Sequence, residues 1–480
     1  MTLQFSYLYR TRMKKHISIL AVLVAGIFIA SAFKDKPAQV TVSSKDSDSL
    51  VVTKIFDEVL VNGKAYDNLR TLCNEAPKRL SGSTGAQTAV EVCQRIMKSM
   101  GLDSVWLQEC MVPHWERGTP EVGWMIVNGK SSHVSMCALG GSTATPADGL
   151  TAEVVEVYDH EELEKLGKKK VEGKIVFFNH PFDQRKPTSF EMYGEAVGYR
   201  WAGPHVAETY GAVAVIVRSM SSSLDTFPHT GGMRTDSLMA KIPAAAISTV
   251  DAEEMHRQLE SGAKVQFNMT MNCKWYPDAK SYNVIGEIRG SEHPKEVIVF
   301  GGHLDAWDLS PGAHDDGSGC MQAIEVLRSF KALNIKPKHT IRAVMWMNEE
   351  NGGRGGEAYA KYSKDNNVKH IAAIESDAGG FSPRAFGITC TPEQREKVKS
   401  WSPFFYRYGI YDFDGEGGGA DIDDLKDQGV PLFGLEPDSQ RYFDYHHTEI
   451  DTFDKVNKRE LHLGAGGMAA LVYLIDKYGL

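Results

Sequence analysis

The sequence predicts an α/β fold in which a doubly wound, mostly parallel sheet carries helices on both faces, with a second β/α unit inserted into it. From about residue 282 to the C-terminus, short apolar runs rich in β-branched residues alternate with helical stretches, a pattern typical of a parallel sheet covered on both sides. Ionisable residues follow one predicted strand after another in this half. Between residues 119 and 278 the spacing of strands and turns changes, which indicates the separate inserted unit.

The first 32 residues have the layout of a secretory signal peptide. Four basic residues between positions 10 and 15 precede an apolar run over residues 17–30, and small residues follow it. We therefore expect an exported protein, periplasmic or extracellular, whose mature chain starts near Phe33. An uncleaved signal anchor and a true start at Met13 are the open alternatives. The polar, serine- and aspartate-rich residues 33–48 predict a flexible linker.

The remaining chain divides into an N-terminal part (49–118), the insertion (119–278) and a C-terminal part (279–480). Apolar residues at three- and four-residue spacing predict helices, and short apolar or alternating runs predict strands. The predicted helices cover residues 49–60, 65–73, 85–100, 161–165, 203–210, 317–333, 356–362, 393–401 and 459–478. The predicted strands cover residues 105–112, 152–157, 174–178, 212–217, 242–247, 282–287, 297–300, 340–347, 371–374 and 430–435.

The composition narrows the class of protein. A hydrophobic content of 42% and a charged content of 24% are those of an ordinary globular protein. The net charge of −9, with no basic run beyond the N-terminus, gives no reason to expect a nucleic-acid partner. The seven cysteines lack the short spacings of a thiolate metal site or a disulfide framework, although one or two bridges stay open.

The stretch GGHLDAWDLSPGAHDDGSG, residues 301–319, directly follows the apolar strand 297–300. Glycine and proline break the strand pattern there, so His303, Asp305 and Asp315 are placed on loops. The ends of the later strands carry further ionisable residues, namely Glu349, Glu350, Asp377, His446 and His447. Because parallel strands end along one edge of a sheet, these groups are expected to converge. Their mutual repulsion predicts a pair of divalent metal ions, with Asp315 as the bridging carboxylate.

Five motifs in this order resemble those of the co-catalytic di-zinc aminopeptidase family: HLD at 303–305, GAxDDGSG at 312–319, NEE at 348–350, ESDAG at 375–379 and HHTxxDT at 446–452. Three motifs in the insertion are similar to the carboxypeptidase Q (plasma glutamate carboxypeptidase) branch and its bacterial relatives: GAVAVIVRS at 211–219, PHTG at 228–231 and IPAAAIS at 242–248. The resemblance covers nearly the whole mature chain. It implies a zinc exopeptidase type of fold and a protease-associated-like inserted domain.

By motif position, the resemblance implies two Zn²⁺ ions per chain. His303, Asp315 and Asp377 would hold one ion. Asp315, Glu350 and His447 would hold the other. The set has imidazole and carboxylate donors and no thiolate, which suits a catalytic rather than a structural zinc site.

Two neighbouring carboxylates receive roles from the same resemblance. Glu349 would be the general base that takes a proton from the attacking water and delivers it to the leaving amine. Asp305 would accept a hydrogen bond from the outer nitrogen of His303. His446 stays an alternative ligand to His447. The resemblance also implies that the Asp315–Asp316 peptide bond is cis.

Other polar residues are candidates for substrate binding. The glycine-rich loop at 415–421 lacks the lysine and the following helix of a phosphate loop, so Glu416 and Asp421 are predicted to receive a substrate ammonium instead. In the insertion, His229 is either a packed or capping histidine or a residue that lines the substrate cleft, and Arg218 and Arg234 are further candidate donors for a substrate carboxylate.

Together these observations predict a secreted or periplasmic di-zinc metallo-exopeptidase, an aminopeptidase or carboxypeptidase Q-like dipeptidase, that hydrolyses dipeptides or short peptides with a free N-terminus. Two other functions are open: a single-zinc glutaminyl cyclase-like acyltransferase of the same fold and a non-catalytic receptor-like relative. The expected partner is a short peptide substrate, and a homodimer is left open. We expect no nucleic-acid partner, and no stable membrane partner after signal cleavage.

Overall fold

The structure is a computed structural model that describes residues 44–480, with side chains from residue 47 onward. The predicted signal peptide and residues 33–43 of the predicted linker lie outside the described residues. The strands are β1 (Ser104–Glu116), β2 (Val122–Val127), β3 (Lys130–Val134), β4 (Met136–Ala138), β5 (Leu150–Val157), β6 (Ile175–Phe178), β7 (Ala214–Arg218), β8 (Ala244–Ile247), β9 (Val265–Thr270), β10 (Lys274–Ile288), β11 (His293–His303), β12 (His339–Trp346), β13 (Lys369–Glu375), β14 (Pro383–Thr389) and β15 (Leu432–Pro437). The α-helices are α1 (Ser44–Asn62), α2 (Ala65–Glu75), α3 (Thr84–Ser99), α4 (His160–Val171), α5 (Ser189–Trp201), α6 (Gly203–Thr209), α7 (Thr249–Glu260), α8 (Ser318–Ala332), α9 (Arg354–Asp365), α10 (Pro392–Lys399), α11 (Tyr442–Tyr445) and α12 (Lys458–Tyr478).

Every predicted helix and strand overlaps an observed element of the same type. The linker prediction is wrong at its end, because α1 begins at Ser44 and the carboxylate of Asp48 accepts a hydrogen bond from Tyr473 Oη at 3.0 Å. The sequence patterns missed eight of these elements, namely β2, β3, β4, β9, β14, α5, α7 and α11. The α5 sequence, SFEMYGEAVGYRW, contains Gly194 and Gly198, which lower helix propensity and hide the pattern.

The sheet that carries the predicted metal ligands has seven strands in the order β1-β10-β12-β11-β13-β15-β14. Its four central strands are parallel, whereas β1, β10 and β14 pair antiparallel at the two sides. The expectation of a mostly parallel sheet therefore holds only for the centre, and the sheet as a whole is mixed. The two strands that flank the insertion, β1 and β10, pair with each other, which makes that side antiparallel.

Alternate side chains of β11 point into two separate hydrophobic cores. Ile298 and Phe300 pack in the cluster that contains residues of α2, α3, α8 and α12. Val297 and Val299 pack in the opposite cluster with α9 residues such as Tyr359. Helices therefore cover both faces of this sheet, as predicted, and the ends of its central strands form one edge where loops meet.

Residues 122–270 form a second sheet of eight strands in the order β3-β2-β9-β5-β6-β7-β8-β4. Strands β5 to β8 are parallel neighbours, and β2, β3, β4 and β9 pair antiparallel around them. The assignment of this segment as protease-associated-like stays a prediction. All seven cysteines of the chain are free thiols. Within residues 44–480, we find no helix long and apolar enough to span a membrane.

Candidate active site

Three central strands and two loops bring the predicted metal ligands to one edge of the seven-stranded sheet. His303 is the last residue of β11, and Glu350 and Asp377 follow β12 and β13. Asp315 lies in a tight turn just before α8, and His447 follows the short helix α11. Four of these five side chains are buried, and Asp377 is the most exposed at 25%.

The first group of donors surrounds one oxygen of Asp315. His303 Nε2 lies 3.1 Å from Asp315 Oδ1 and 3.2 Å from Asp377 Oδ1. One imidazole nitrogen and two carboxylate oxygens thus converge within the span that a single metal ion bridges. This is the trio predicted for one zinc.

The second group of donors surrounds the other oxygen of Asp315. His447 Nε2 lies 3.2 Å from Asp315 Oδ2 and 3.1 Å from Glu350 Oε2. His446 Nε2 lies farther from Asp315 Oδ2, at 3.8 Å, and its ring stacks on His447 with centroids 3.4 Å apart. Both histidines therefore lie at this position, and His447 is the nearer donor.

The turn that carries Asp315 is held by two further carboxylates. Asp451 accepts the backbone N–H groups of His314 at 2.8 Å and of Asp315 at 3.0 Å. Asp316 accepts the N–H groups of His303 at 3.1 Å and of Gly319 at 2.9 Å. The Asp315–Asp316 peptide bond is cis, as the resemblance implied. The role of Asp451 was not predicted, although it is the aspartate of the HHTxxDT motif.

The Asp305 carboxylate does not accept the hydrogen bond from His303 that the resemblance implied. The outer nitrogen of His303, Nδ1, lies 3.0 Å from the backbone carbonyl of Asp305, while the Asp305 carboxylate is 3.9 Å away, beyond hydrogen-bond distance. That carboxylate instead accepts the N–H groups of Asn348 at 2.7 Å and Glu349 at 3.1 Å. Asp305 is therefore a positioning residue for the loop that carries Glu349 and Glu350.

The buried carboxylates at this edge of the sheet repel one another when no cation lies between them. Burial raises the pKa of Glu349 well above its usual value, and the negative charges of Asp377 and Glu350 raise it further. Burial and the neighbouring charge of Asp315 raise the pKa of Glu350 to about 7. Burial also raises the pKa of Asp377. A divalent cation would relieve this repulsion.

The donor geometry fits zinc. Of the four close imidazole–carboxylate contacts, only that of His303 with Asp315 has hydrogen-bond geometry. Asp315 Oδ2 is buried and has no hydrogen-bond donor in the described part of the chain. Nitrogen and oxygen donors that face each other without hydrogen bonds, in a set lacking thiolates, are suited to Zn²⁺ coordination.

A cavity of about 450 Å³ opens onto these donors. One wall is acidic and includes Asp315, Glu349, Glu350 and Asp377. Another part of the lining comes from the insertion, through α5 and residues 232–236. Residues from separate parts of the chain therefore enclose one space, and the size of that space suits a small molecule.

The residues predicted to bind substrate lie outside the wall of this cavity. Glu416 is exposed on its loop. Asp421 is buried with both carboxylate oxygens unpartnered among the described residues, and its N–H donates to Glu375 Oε2 at 3.1 Å. His229 is 2% exposed, and burial lowers its pKa to about 3. The structure thus places none of these three against the cavity.

The two arginines proposed with them are also engaged elsewhere. Arg218 donates to Glu253 Oε1 at 2.6 Å and does not line the cavity. Arg234 lines the cavity, but its guanidinium donates to the carboxylate of Asp236 at 2.7 Å. Four of the cavity-lining residues that sequence reasoning missed are on α5, a helix that the sequence pattern itself missed: Phe190, Tyr193, Arg200 and Trp201.

The chain is similar to known peptidases in sequence and in fold. The model of peptidase family M28 matches residues 283–472. Carboxypeptidase Q from Bos taurus is 35% identical over 428 residues, which cover 88% of this chain and 88% of the relative. The crystal structure of a peptidase M28 precursor from Shewanella amazonensis has a TM-score of 0.86 and 31% identity, and covers 90% of this chain and 97% of that chain. A zinc aminopeptidase from Bacillus subtilis, at 19% identity and a TM-score of 0.61, shares the fold over 85% of this chain and 93% of that chain.

Proposed function

The chain belongs to peptidase family M28 and is a zinc-dependent metallopeptidase; on that premise we propose that it is an exported di-zinc exopeptidase. Its proposed substrates are dipeptides and short peptides with a free N-terminus. The expectation of export rests on the basic and apolar pattern of residues 1–32.

One observation carries the two-metal part of the proposal. The two oxygens of Asp315 face different donors, since Oδ1 lies 3.1 Å from His303 Nε2 and Oδ2 lies 3.2 Å from His447 Nε2. A carboxylate placed in this way can serve two ions at once, with Asp377 and Glu350 completing the two sets. Because all five ligand positions carry metal-binding side chains, neither the single-zinc cyclase nor the receptor-like alternative gains support.

The chemistry divides between the metals and the chain. When bound, zinc acts as a Lewis acid that polarises a peptide carbonyl and lowers the pKa of a coordinated water. The carboxylate of Glu349 accepts the proton of the attacking water and then passes it to the leaving amine. Asp305 keeps the Glu349 backbone in place through the 3.1 Å hydrogen bond, so the base is held beside the donors.

The size and the lining of the cavity support the substrate class. We place the free N-terminus of the substrate on the side that carries Glu349, Glu350 and Asp377, because an exopeptidase must hold the terminus next to the bond that it cuts. The part of the lining made by α5 and residues 232–236 limits the length of chain that fits. A volume of about 450 Å³ is within the range of pockets for small molecules rather than of open clefts for proteins.

The proposal is tested with the zinc-loaded protein and three substrates: a dipeptide, its N-acetylated form, and a ten-residue peptide that begins with the same two residues. We expect rapid hydrolysis of the dipeptide alone, with two zinc ions per chain by elemental analysis. Equal rates on all three substrates would show that neither the amino terminus nor length is recognised. One zinc per chain in a fully active enzyme would contradict the two-metal assignment.

A further inference from the structure

The backbone of Thr230, in the PHTG motif of the insertion, is hydrogen-bonded to His447 at two points. The Thr230 N–H donates to the His447 carbonyl at 3.0 Å, and His447 Nδ1 donates to the Thr230 carbonyl at 3.2 Å. The second bond leaves Nε2 as the ring nitrogen that faces Asp315 and Glu350. A histidine that binds a metal through one ring nitrogen usually donates the other to a carbonyl or a carboxylate, which fixes the tautomer and the ring orientation. Thr230 has the position of such an orienting residue, although it precedes His447 by 217 residues.

His447 requires this support because its backbone is in an unfavourable conformation. Its φ of 62° lies in the left-handed region, which residues with a Cβ rarely adopt. Such conformations persist at functional sites where the surrounding contacts fix them. The two hydrogen bonds to Thr230 hold the backbone and the ring of His447 at the same time. They therefore select the conformation in which Nε2 faces the oxygens of Asp315 and Glu350.

Trp307 makes an equivalent contact to the other ligand of the second group of donors. Its N–H donates to Glu350 Oε1 at 3.2 Å, which leaves Oε2 facing His447 Nε2 at 3.1 Å. Its ring stands edge-on to the His447 ring, with centroids 5.8 Å apart. Trp307 is 3% exposed and packs in a hydrophobic core with Ala138 and Phe267 of the insertion. The loop after β11 thus reaches into the insertion and is fixed there.

Arg117, at the entrance to the insertion, joins these two contacts. Its guanidinium donates to Asp308, the residue after Trp307, at 2.6 Å and to Thr230 Oγ1 at 3.4 Å. Both Arg117 Nη1, at 2.6 Å, and Thr230 Oγ1, at 2.8 Å, donate to the carbonyl of Ala138. A planar guanidinium donates in fixed directions, so it holds the elements that it joins in one geometry. The insertion and the loop after β11 therefore form one connected hydrogen-bond network behind the second group of donors.

The first group of donors is held in a different way. The outer nitrogen of His303 donates to the Asp305 carbonyl at 3.0 Å, and the His303 N–H donates to Asp316 at 3.1 Å. Both partners belong to the C-terminal part of the chain. Within residues 47–480, we find no hydrogen bond or ion pair from the insertion to His303 or Asp377. The two groups of donors are therefore unequal in their dependence on the insertion.

We propose that the insertion controls one of the two zinc sites, the site formed by the second group of donors. Thr230 positions the His447 ring. Trp307, fixed in the core of the insertion, positions Glu350. The ion at this site is bound tightly only while the insertion is docked, whereas the ion at the first group of donors is bound independently of it. The inference rests on the proposed two-metal function, which it deepens by assigning the positioning residues of one ion.

Gly140 allows a steric test of this dependence. It packs so closely on the Trp307 ring that an added Cβ would lie 1.8 Å from Trp307 Cη2. Its N–H donates at 2.9 Å to the carbonyl of Gly231, which directly follows Thr230. Gly140→Ala should therefore displace both positioning residues and leave every metal ligand chemically unchanged.

The stepwise zinc affinities of the wild type and of each variant are measured by competition with a chelating dye. We expect Gly140→Ala to weaken one of the two ions by about 10- to 100-fold, the range for residues that orient metal ligands, and to leave the other ion unchanged. Gly123→Ala is the matched control, because its added Cβ would lie 2.6 Å from Met136 Sδ in the same hydrophobic core. It should leave both affinities unchanged. Weakening of both ions in Gly140→Ala, or of neither, would overturn the proposal.

Ligand variants identify the affected ion. In Glu350→Gln only the first group of donors is complete, so adding Gly140→Ala should not change the affinity of the remaining ion. In Asp377→Asn only the second group is complete, and adding Gly140→Ala should lower the affinity by about 10- to 100-fold. Equal effects in the two backgrounds, or the reverse pattern, would overturn the proposal. One ion per wild-type chain would contradict the two-metal function itself, whereas two ions that Gly140→Ala leaves unchanged would contradict only this inference.

If Gly140→Ala does not fold, as judged by thermal unfolding, Thr230→Val decides. This change keeps the shape of the side chain but removes the hydroxyl that donates to Ala138 and accepts from Arg117. The affinity of the second site should fall by about 3- to 10-fold, the equivalent of one neutral hydrogen bond, with the first site unchanged. Thr230→Ser, which keeps the hydroxyl, should retain the wild-type affinities. Wild-type affinities in Thr230→Val would then refute the role of the insertion.

Discussion

Replacement of Glu349 by glutamine tests the assignment of the general base most directly. Glutamine has nearly the same shape, and the backbone N–H that donates to Asp305 Oδ1 is unchanged, so the loop should keep its position. General base catalysis contributes about 10²- to 10⁴-fold to a rate. The structure favours the upper half of that range, because no other cavity carboxylate is free to accept the proton.

The neighbouring carboxylates are each engaged. Asp315, Asp377 and Glu350 lie 3.1–3.2 Å from imidazole nitrogens, and Asp236 is paired with Arg234. We therefore expect kcat of Glu349→Gln on a dipeptide to fall by roughly 10³- to 10⁴-fold, which corresponds to about 4–5.5 kcal/mol of transition-state stabilisation.

Steady-state hydrolysis of the dipeptide, together with zinc content by elemental analysis, measures the effect. Glu350→Gln is the matched control, because it makes the same chemical change one residue away but removes a predicted ligand. Glu349→Gln should retain two zinc ions per chain, and Glu350→Gln should lose one. A Glu349→Gln variant with two zinc ions and near-normal kcat would refute the assignment, and so would loss of zinc from that variant.

Two other predictions concern the support of the site and of the fold. Asp451→Asn replaces one of the two carboxylate oxygens that accept the N–H groups of His314 and Asp315. Zinc affinity, measured by competition with a chelating dye, should therefore fall by about 10- to 100-fold. The exposed Asp454→Asn is the control and should not change the zinc affinity. Asp48→Asn should lower the free energy of unfolding by about 1–3 kcal/mol at pH 7, measured by urea denaturation. Burial raises the pKa of Asp48, but hydrogen bonds from Lys477, Tyr478 and Tyr473 outweigh this and hold the pKa below its usual 3.8. The stabilisation is therefore present above pH 4 and is lost as the pH falls through the lowered pKa. The free energies of unfolding of the wild type and of Asp48→Asn should converge in acid. A constant difference between them down to pH 3 would contradict this prediction.

The sequence alone determined the parts of this protein that depend on local pattern. Strand and helix periodicity located every predicted element. The residues at the ends of β11, β12 and β13 identified the converging ligands, because strand direction alone decides which ends of a parallel sheet meet. The family resemblance that the motifs carry also implied the cis bond at Asp315–Asp316. These features are encoded within short windows of the chain.

Only the tertiary structure decided what surrounds the ligands. The packing of α5 against the metal edge places Arg200 in the cavity, although more than 200 residues separate it from His447. The same packing leaves Glu416 on the exposed surface and buries His229 behind the wall. Asp305 supports the Glu349 loop rather than the ring of His303, because a side chain's partner depends on distances of a few tenths of an ångström. Contacts between distant segments arise from the docking of whole elements, and neither periodicity nor motif spacing records how those elements meet.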